Sequence, residues 1–238
     1  MSLRRRFEHL TEELSRDDNS LGDKVLRIAQ RGTVALGLSP RVSINRLMIV
    51  ETSSPPKPFR GMRDVIVRRA TERDVGVLCT IDDGDPARIR GWLARGDLAY
   101  VAELDGEVVC HTWFHPGPTP FEGDRAVCAD WALDAGTFWS FKGASRADVR
   151  ESGLFVKLFQ EALREVFEVH GARRVQGFIA HTNHPSLIMH ERLGFTIPGS
   201  FLAIGVGGLK WIRWDGGGRT RQWLLPRASS TAIPLPPP

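Results

Sequence analysis

Leu154, Leu158, Ala162, Leu163, Val166 and Phe167 recur at helical spacing ahead of Gly171, and Lys157, Glu161, Arg164, Glu165 and Glu168 take positions between them. One oily stripe and one wet face on the same segment predict an amphipathic helix over about residues 152–170, which Gly171 ends. A helix with a single apolar stripe has to lie against a partner, and its flanks supply one. Residues 137–145 and 174–179 carry the branched and aromatic side chains of strands. The expected architecture is α+β, with helices covering a twisted mixed sheet.

The rest of the chain reads in the same terms. A strand at 65–70 runs into Thr71 and Asp74, the two ends of a reciprocal capping box at a helix start. Asp85 and Pro86 open a further helix, with Ile89, Trp92 and Leu93 inward and Gly96 at its close. Strands at 98–103 and 107–114 flank Asp105 and Gly106, a pair suited to a tight hairpin. After a loop at 116–124, paired strands near 126–133 and 137–145 turn at residues 134–136. A short helix is expected over 185–193, ended by Gly194, and strands near 195–204, 209–214 and 220–225 finish the sheet. Ahead of this regular part lies an extension: a basic helix with Leu3, Phe7, Leu10 and Leu14 on one face, a second helix over 21–30, a strand over 42–50, and a linker broken by Pro55, Pro56 and Pro58. Three divisions follow: 1–60 as a helical and strand-like extension, 61–226 as the main domain, and 227–238 as a disordered Pro-rich tail.

The net charge of +4 lies wholly in the extension, where residues 1–60 hold 11 Lys+Arg against 7 Asp+Glu; residues 61–238 hold 21 of each. A nucleic-acid reader concentrates its charge on the folded domain, so nucleic acid is not the expected partner. Cys79, Cys110 and Cys128 are too few and too scattered for a disulfide framework or a zinc site. No metal is expected, and the setting reads as reducing and cytoplasmic. No apolar run approaches the roughly 20 residues of a membrane span, and no apolar signal core follows the basic start.

Chemistry is expected where the strand at 137–145 feeds the long helix. A helix N-terminus offers unpaired N–H groups and partial positive charge to a phosphate. Gly153 lets the backbone approach a ligand, and Arg150 adds a fixed charge beside it. About thirty residues on, Asn183 ends a strand, Pro185 stands in the first turn of a short helix, and Gly194 and Phe195 follow that helix. These two elements, in this order, resemble the GCN5-related N-acetyltransferase (GNAT) superfamily over about residues 64–225.

The resemblance implies a GNAT-like sheet and a loop that receives the pyrophosphate of acetyl-CoA, formed by Ser145, Ala147, Arg150, Glu151, Ser152, Gly153, Leu154 and Phe155. It also implies a strand at 138–146 that bulges or splays from its neighbour to meet the pantetheine arm, with Asn183 and Ser186 beside that arm. Two positions depart from the family pattern. Glu151 stands where glycine is common and sets a carboxylate near the phosphates, and Phe155 stands where a small residue is usual. The tyrosine that often protonates the departing thiolate corresponds to His190, an imidazole able to donate a proton near neutral pH. The sequence has a single tyrosine, Tyr100, on an early strand.

The implied reaction is direct attack of an unprotonated amine on the thioester. It needs a base, donors for the oxyanion and an acid for the thiolate. His190 is the expected acid and Asp130 the candidate base, with His111, His115, Glu103 and His181 on or beside strands that could line the same cleft. Trp113, Trp131 and Trp139 serve as pocket wall or core. The expected function is an acetyl-CoA-dependent N-acyltransferase for a small-molecule or protein amine. The alternatives are a GNAT-fold protein that binds a ligand or partner without catalysis, and an adaptor using the basic extension.

Overall fold

The computed structural model describes residues 42–62, 64–121, 130–206, 209–226 and 232–234. Its strands are β1 (Val42–Thr52), β2 (Val65–Arg69), β3 (Leu98–Leu104), β4 (Glu107–Pro116), β5 (Asp130–Ala132), β6 (Thr137–Ser145), β7 (Arg174–Ala180), β8 (Thr196–Val206), β9 (Leu209–Gly216), β10 (Arg219–Pro226) and β11 (Ala232–Pro234). The helices are α1 (Val75–Asp82), α2 (Pro86–Arg95), α3 (Leu154–Glu168) and α4 (His184–Arg192). The expected helices of the extension, and Cys128, lie outside the described residues.

Nine strands form one sheet in the order β10-β9-β8-β1-β7-β6-β4-β3-β2. Neighbours are antiparallel except β6 and β7, which run parallel. Local signals set many of the boundaries. The Thr71 N–H donates to Asp74 Oδ2 at 2.7 Å before α1, and the Ala87 N–H donates to Asp85 Oδ1 at 3.0 Å at the start of α2. Asp105 and Gly106, at φ 53° and 80°, turn β3 into β4.

The α3 stripe of Leu154, Leu158, Phe159, Ala162, Leu163 and Val166 is buried against Tyr100, Phe114, Phe138 and Val175. Full burial of one such leucine stabilises by about 2 kcal/mol relative to leaving it in water. Ala99 and Val101 alternate with Tyr100 along β3 and face the other way, under α1 and α2 with Leu78, Ile89 and Trp113. A third cluster joins β1, β8 and β9 through Leu47, Ile49, Phe201 and Ile212, with Trp131 and Trp139.

Three features differ from the sequence-based expectations. The sheet runs across the boundary drawn after residue 60, because β1 lies in its interior, paired with β7 on one side and β8 on the other. Both partners lie more than 120 residues downstream, so no local pattern announces the pairing. β5 does not join β6; it pairs in parallel with β11, and Trp131 bridges to Phe121. Residues 232–234, expected within a disordered tail, therefore form a strand, with Pro234 last in it. Among the described residues no helix is long and apolar enough to cross a membrane.

Candidate active site

A cleft of about 870 Å³ opens where β6 and β7 part. The two strands pair only from Thr137 with Arg174 to Ser140 with Gly177, after which both continue without a common ladder. The reason for the parting lies on the other edge of β6. Lys142 faces Trp113 and Ser140 faces Phe114, so Phe141 is an extra residue, a bulge that twists the strand away from its neighbour. The cleft is lined by residues 140–145 on one side and 177–180 on the other, with residues of α3 and α4 completing it.

At the α3 end the loop is held by its own side chains. Arg146 is tied to Asp148 and Glu107 and contributes no free charge. Ser152 Oγ donates to the Val149 carbonyl at 2.6 Å and accepts from the Leu154 N–H at 3.3 Å. Glu151 and Gly153 both take positive φ, 68° and 84°. Arg150 is exposed at the cleft edge, with only a 3.4 Å contact from Nε to the Ser145 carbonyl. Phe155 enters the cleft from the first turn of α3 and lies so close to β6 that a Cβ on Gly143 would meet its ring at 2.5 Å. The ring stacks on Phe159, which continues the wall to Phe195 and His190.

At the other end, Asn183 caps α4 and its Oδ1 accepts the Ser186 N–H at 3.3 Å. His190 is 7% exposed and sits 4.9 Å from Phe159 and 4.8 Å from Phe195, ring centre to ring centre. Its Nδ1 lies 2.8 Å from the Ser186 carbonyl. A carbonyl only accepts, so Nδ1 carries the proton and Nε2 presents a lone pair. Burial pushes the imidazole pKa below its ordinary value, against the smaller pull of the Ser186 bond. Near neutral pH the ring is thus a hydrogen-bond acceptor at Nε2, whereas donation to a thiolate would need its charged form.

No family model matches the chain. Among solved structures, a GCN5-related N-acetyltransferase from Kribbella flavida superposes with a TM-score of 0.51 at 15% identity, covering 74% of this chain and 64% of that one. This chain thus matches less than two thirds of the Kribbella protein's length. The chain has the GNAT fold. A ribosomal-protein-alanine N-acetyltransferase from Brucella melitensis gives 0.44 at 22% identity, over 67% of this chain and 99% of that one. An N-acetyltransferase from Staphylococcus aureus gives 0.43 at 18% identity, over 55% and 82%. At such identities the likeness is one of fold.

Within this GNAT fold, Ser145, Arg150, Glu151, Gly153, Phe155, Asn183, Ser186 and His190 all line the cleft. Ala147 stays in the preceding turn, Ser152 spends its hydroxyl on the loop, and Leu154 is buried in the core, so these three expected contacts are not among the lining residues. Asp130 begins β5, and its side chain lies outside the described residues. His115 is bound on both sides, by Asp97 at 2.6 Å and the Thr119 carbonyl at 3.0 Å. Glu103 is paired with Arg68, and His181 Nδ1 lies 3.2 Å from the Arg46 carbonyl. The Tyr100 hydroxyl donates to Glu165 inside the core, where burial and that carboxylate raise its pKa. Trp113, Trp131 and Trp139 are core.

Lining residues that the sequence did not single out include Thr112, Lys142, Phe159 and Met189. Lys142 carried a signal, a lone charge in an otherwise uncharged strand. Among the described residues no group of three potential metal ligands converges.

Proposed function

We propose that this chain is an N-acyltransferase that uses acetyl-CoA and delivers the acetyl group to an amine on a small molecule or a protein. The carrying observation is the fork between β6 and β7, a slot bordered by the strand residues beyond their last shared rung and ended by the N-terminus of a long helix. Its size falls within the range of small-molecule and cofactor sites. The residues fit an acyl-pantetheine arm: backbone of 140–145 for its amides, Asn183 and Ser186 beside it, Arg150 and Gly153 at the phosphate end. When bound, the coenzyme supplies an acyl group activated as a thioester. His190 would accept a hydrogen bond at Nε2, holding a thiol rather than protonating a thiolate. Free Cys79 and Cys110 suit the reducing cytoplasm expected for such a protein.

A binding protein without catalysis is the second reading, favoured by two local features. Phe155 fills space against Gly143, and Glu151 places a carboxylate at the phosphate end. Calorimetric titration with acetyl-CoA, followed by a thiol-release assay over a panel of amines, separates the two. Binding with thiol release is expected; binding without release under every amine would favour the second reading, and no binding at high micromolar ligand would remove the first.

A further inference from the structure

Phe155 is the second residue of α3, and its ring lies against the strand that borders one side of the fork. A Cβ built on Gly143 would stand 2.5 Å and 2.8 Å from two atoms of that ring, so the ring fills the space that a side chain at 143 would take. Phe155 is half-buried, and both it and Gly143 line the cleft. Gly143 lies beyond Ser140 and Gly177, the last rung that β6 shares with β7, and there β6 pairs with β4 alone. The same stretch of β6 is where the coenzyme's arm would run, so ring and arm compete for one place. The ring is held there lightly. Among the described residues its one aromatic partner is Phe159, stacked at 6.0 Å and 14°. Its position near the helix start also leaves it room to turn. A side chain deeper in a helix loses one χ1 well to the turn before it, whereas the second residue has no such turn behind it.

We propose that Phe155 is an internal stopper for the coenzyme's pantetheine arm, closed over Gly143 in the empty protein and turned off the strand when the arm enters; this rests on the acyltransferase function above. With the ring closed, Phe159 behind it is only 1% exposed, so the apolar wall stays out of water until a ligand arrives to cover it. The closed position weakens binding. Coenzyme is taken up by the fraction of molecules whose ring has turned, and the apparent Kd is the intrinsic Kd divided by that fraction. The stack on Phe159 sets the size of the effect, roughly 2–10-fold. Only the arm meets the stopper. The phosphate end, at Arg150 and Gly153, is bound the same way with the ring open or closed.

Calorimetric titration of the full chain with two probes tests this. Acetyl-CoA carries the arm, and adenosine 3′,5′-bisphosphate carries phosphates without it. Phe155→Ala should bind acetyl-CoA roughly 2–10-fold tighter than the wild type, with the bisphosphate unchanged. Phe155→Leu, which keeps apolar bulk against Phe159 and so protects the fold, should move the same way by less. The closed position has a readout of its own, without ligand. Gly143→Ala should lower Tm in the wild-type background, where the new methyl meets the ring. In the Phe155→Ala background it should cost nothing, because the nearest remaining atom is the His111 carbonyl oxygen at 3.6 Å. Equal costs in both backgrounds would overturn the closed position. Weaker or unchanged acetyl-CoA binding by both Phe155 variants would make the ring a wall of the arm's site and overturn the proposal, as would equal tightening of both probes. If neither the wild type nor the variants bind acetyl-CoA, the acyltransferase function itself fails and this assignment falls with it; a wild type that binds keeps that function whatever the variants do.

Discussion

At the scale of single residues, the phosphate end of the cleft turns on Glu151. Its φ of 68° costs a non-glycine residue roughly 1–2 kcal/mol. Glycine would remove that strain but give back roughly 0.5–1 kcal/mol of unfolded-chain entropy. Glu151→Gly should therefore change Tm little, yet tighten acetyl-CoA binding several-fold by removing a negative charge; equal affinity in both proteins would place the pyrophosphate elsewhere. His111, a ring on β4 that is 1% exposed, outside the cleft lining and without a hydrogen bond to either nitrogen among the described residues, makes a separate prediction about pH. The unfolded chain binds a proton there below about pH 6.5, and the folded chain refuses it until about pH 4. Stability is thus complete above 6.5 and declines as pH falls through that window, by roughly 3 kcal/mol at most. Chemical denaturation across this range should show the decline, and His111→Leu should flatten it. His190, shifted in the same direction, adds a smaller decline that this variant leaves in place.

At the scale of elements, the fork is exacting about backbone contact. A Cβ on Gly177 would stand 2.7 Å from the Ser140 carbonyl at the last rung shared by β6 and β7. Gly177→Ala should cost about 1–3 kcal/mol, read as a lower denaturation midpoint. Phe155→Ala should cost on the order of 2 kcal/mol and open the slot beside Gly143, an outcome visible as altered coenzyme affinity.

How much of this was legible beforehand follows the range of the interactions. Thr71 with Asp74, Asp85 with Pro86, and Asp105 with Gly106 act within a few residues, and each marked its boundary in the sequence. The α3 stripe, read from periodicity, lies where it was expected. A bulge or splay of the strand at 138–146 from the next strand was expected only through family resemblance, and its place at Phe141, in the pairing with β4, was not legible, because it is a property of cross-strand hydrogen bonds. The state of His190 was hidden altogether, since a backbone carbonyl one turn away decides which nitrogen carries its proton. The unpaired ring of His111 could not be foreseen either, because burial is a property of the assembled sheet.

At the scale of the whole molecule, β1 is a structural member of the sheet and supplies Val50 to the cleft lining. Its contacts with β7 include a buried bond from Gln176 Nε2 to Glu51 Oε2 at 2.5 Å. Removing residues 42–52 should leave β7 and β8 with open edges and a protein that no longer unfolds cooperatively, as followed by circular dichroism on heating. A construction that folds without β1 would show that the sheet tolerates its loss. The placement of β1 also fixes an order of events during synthesis. This strand leaves the ribosome more than 120 residues ahead of its partners at 175–180 and 196–206. β2, β3 and β4 can pair at once, through near neighbours. β1 must wait with its edges exposed, so the cell's exposure to misfolding is concentrated in one strand and ends only when β8 arrives.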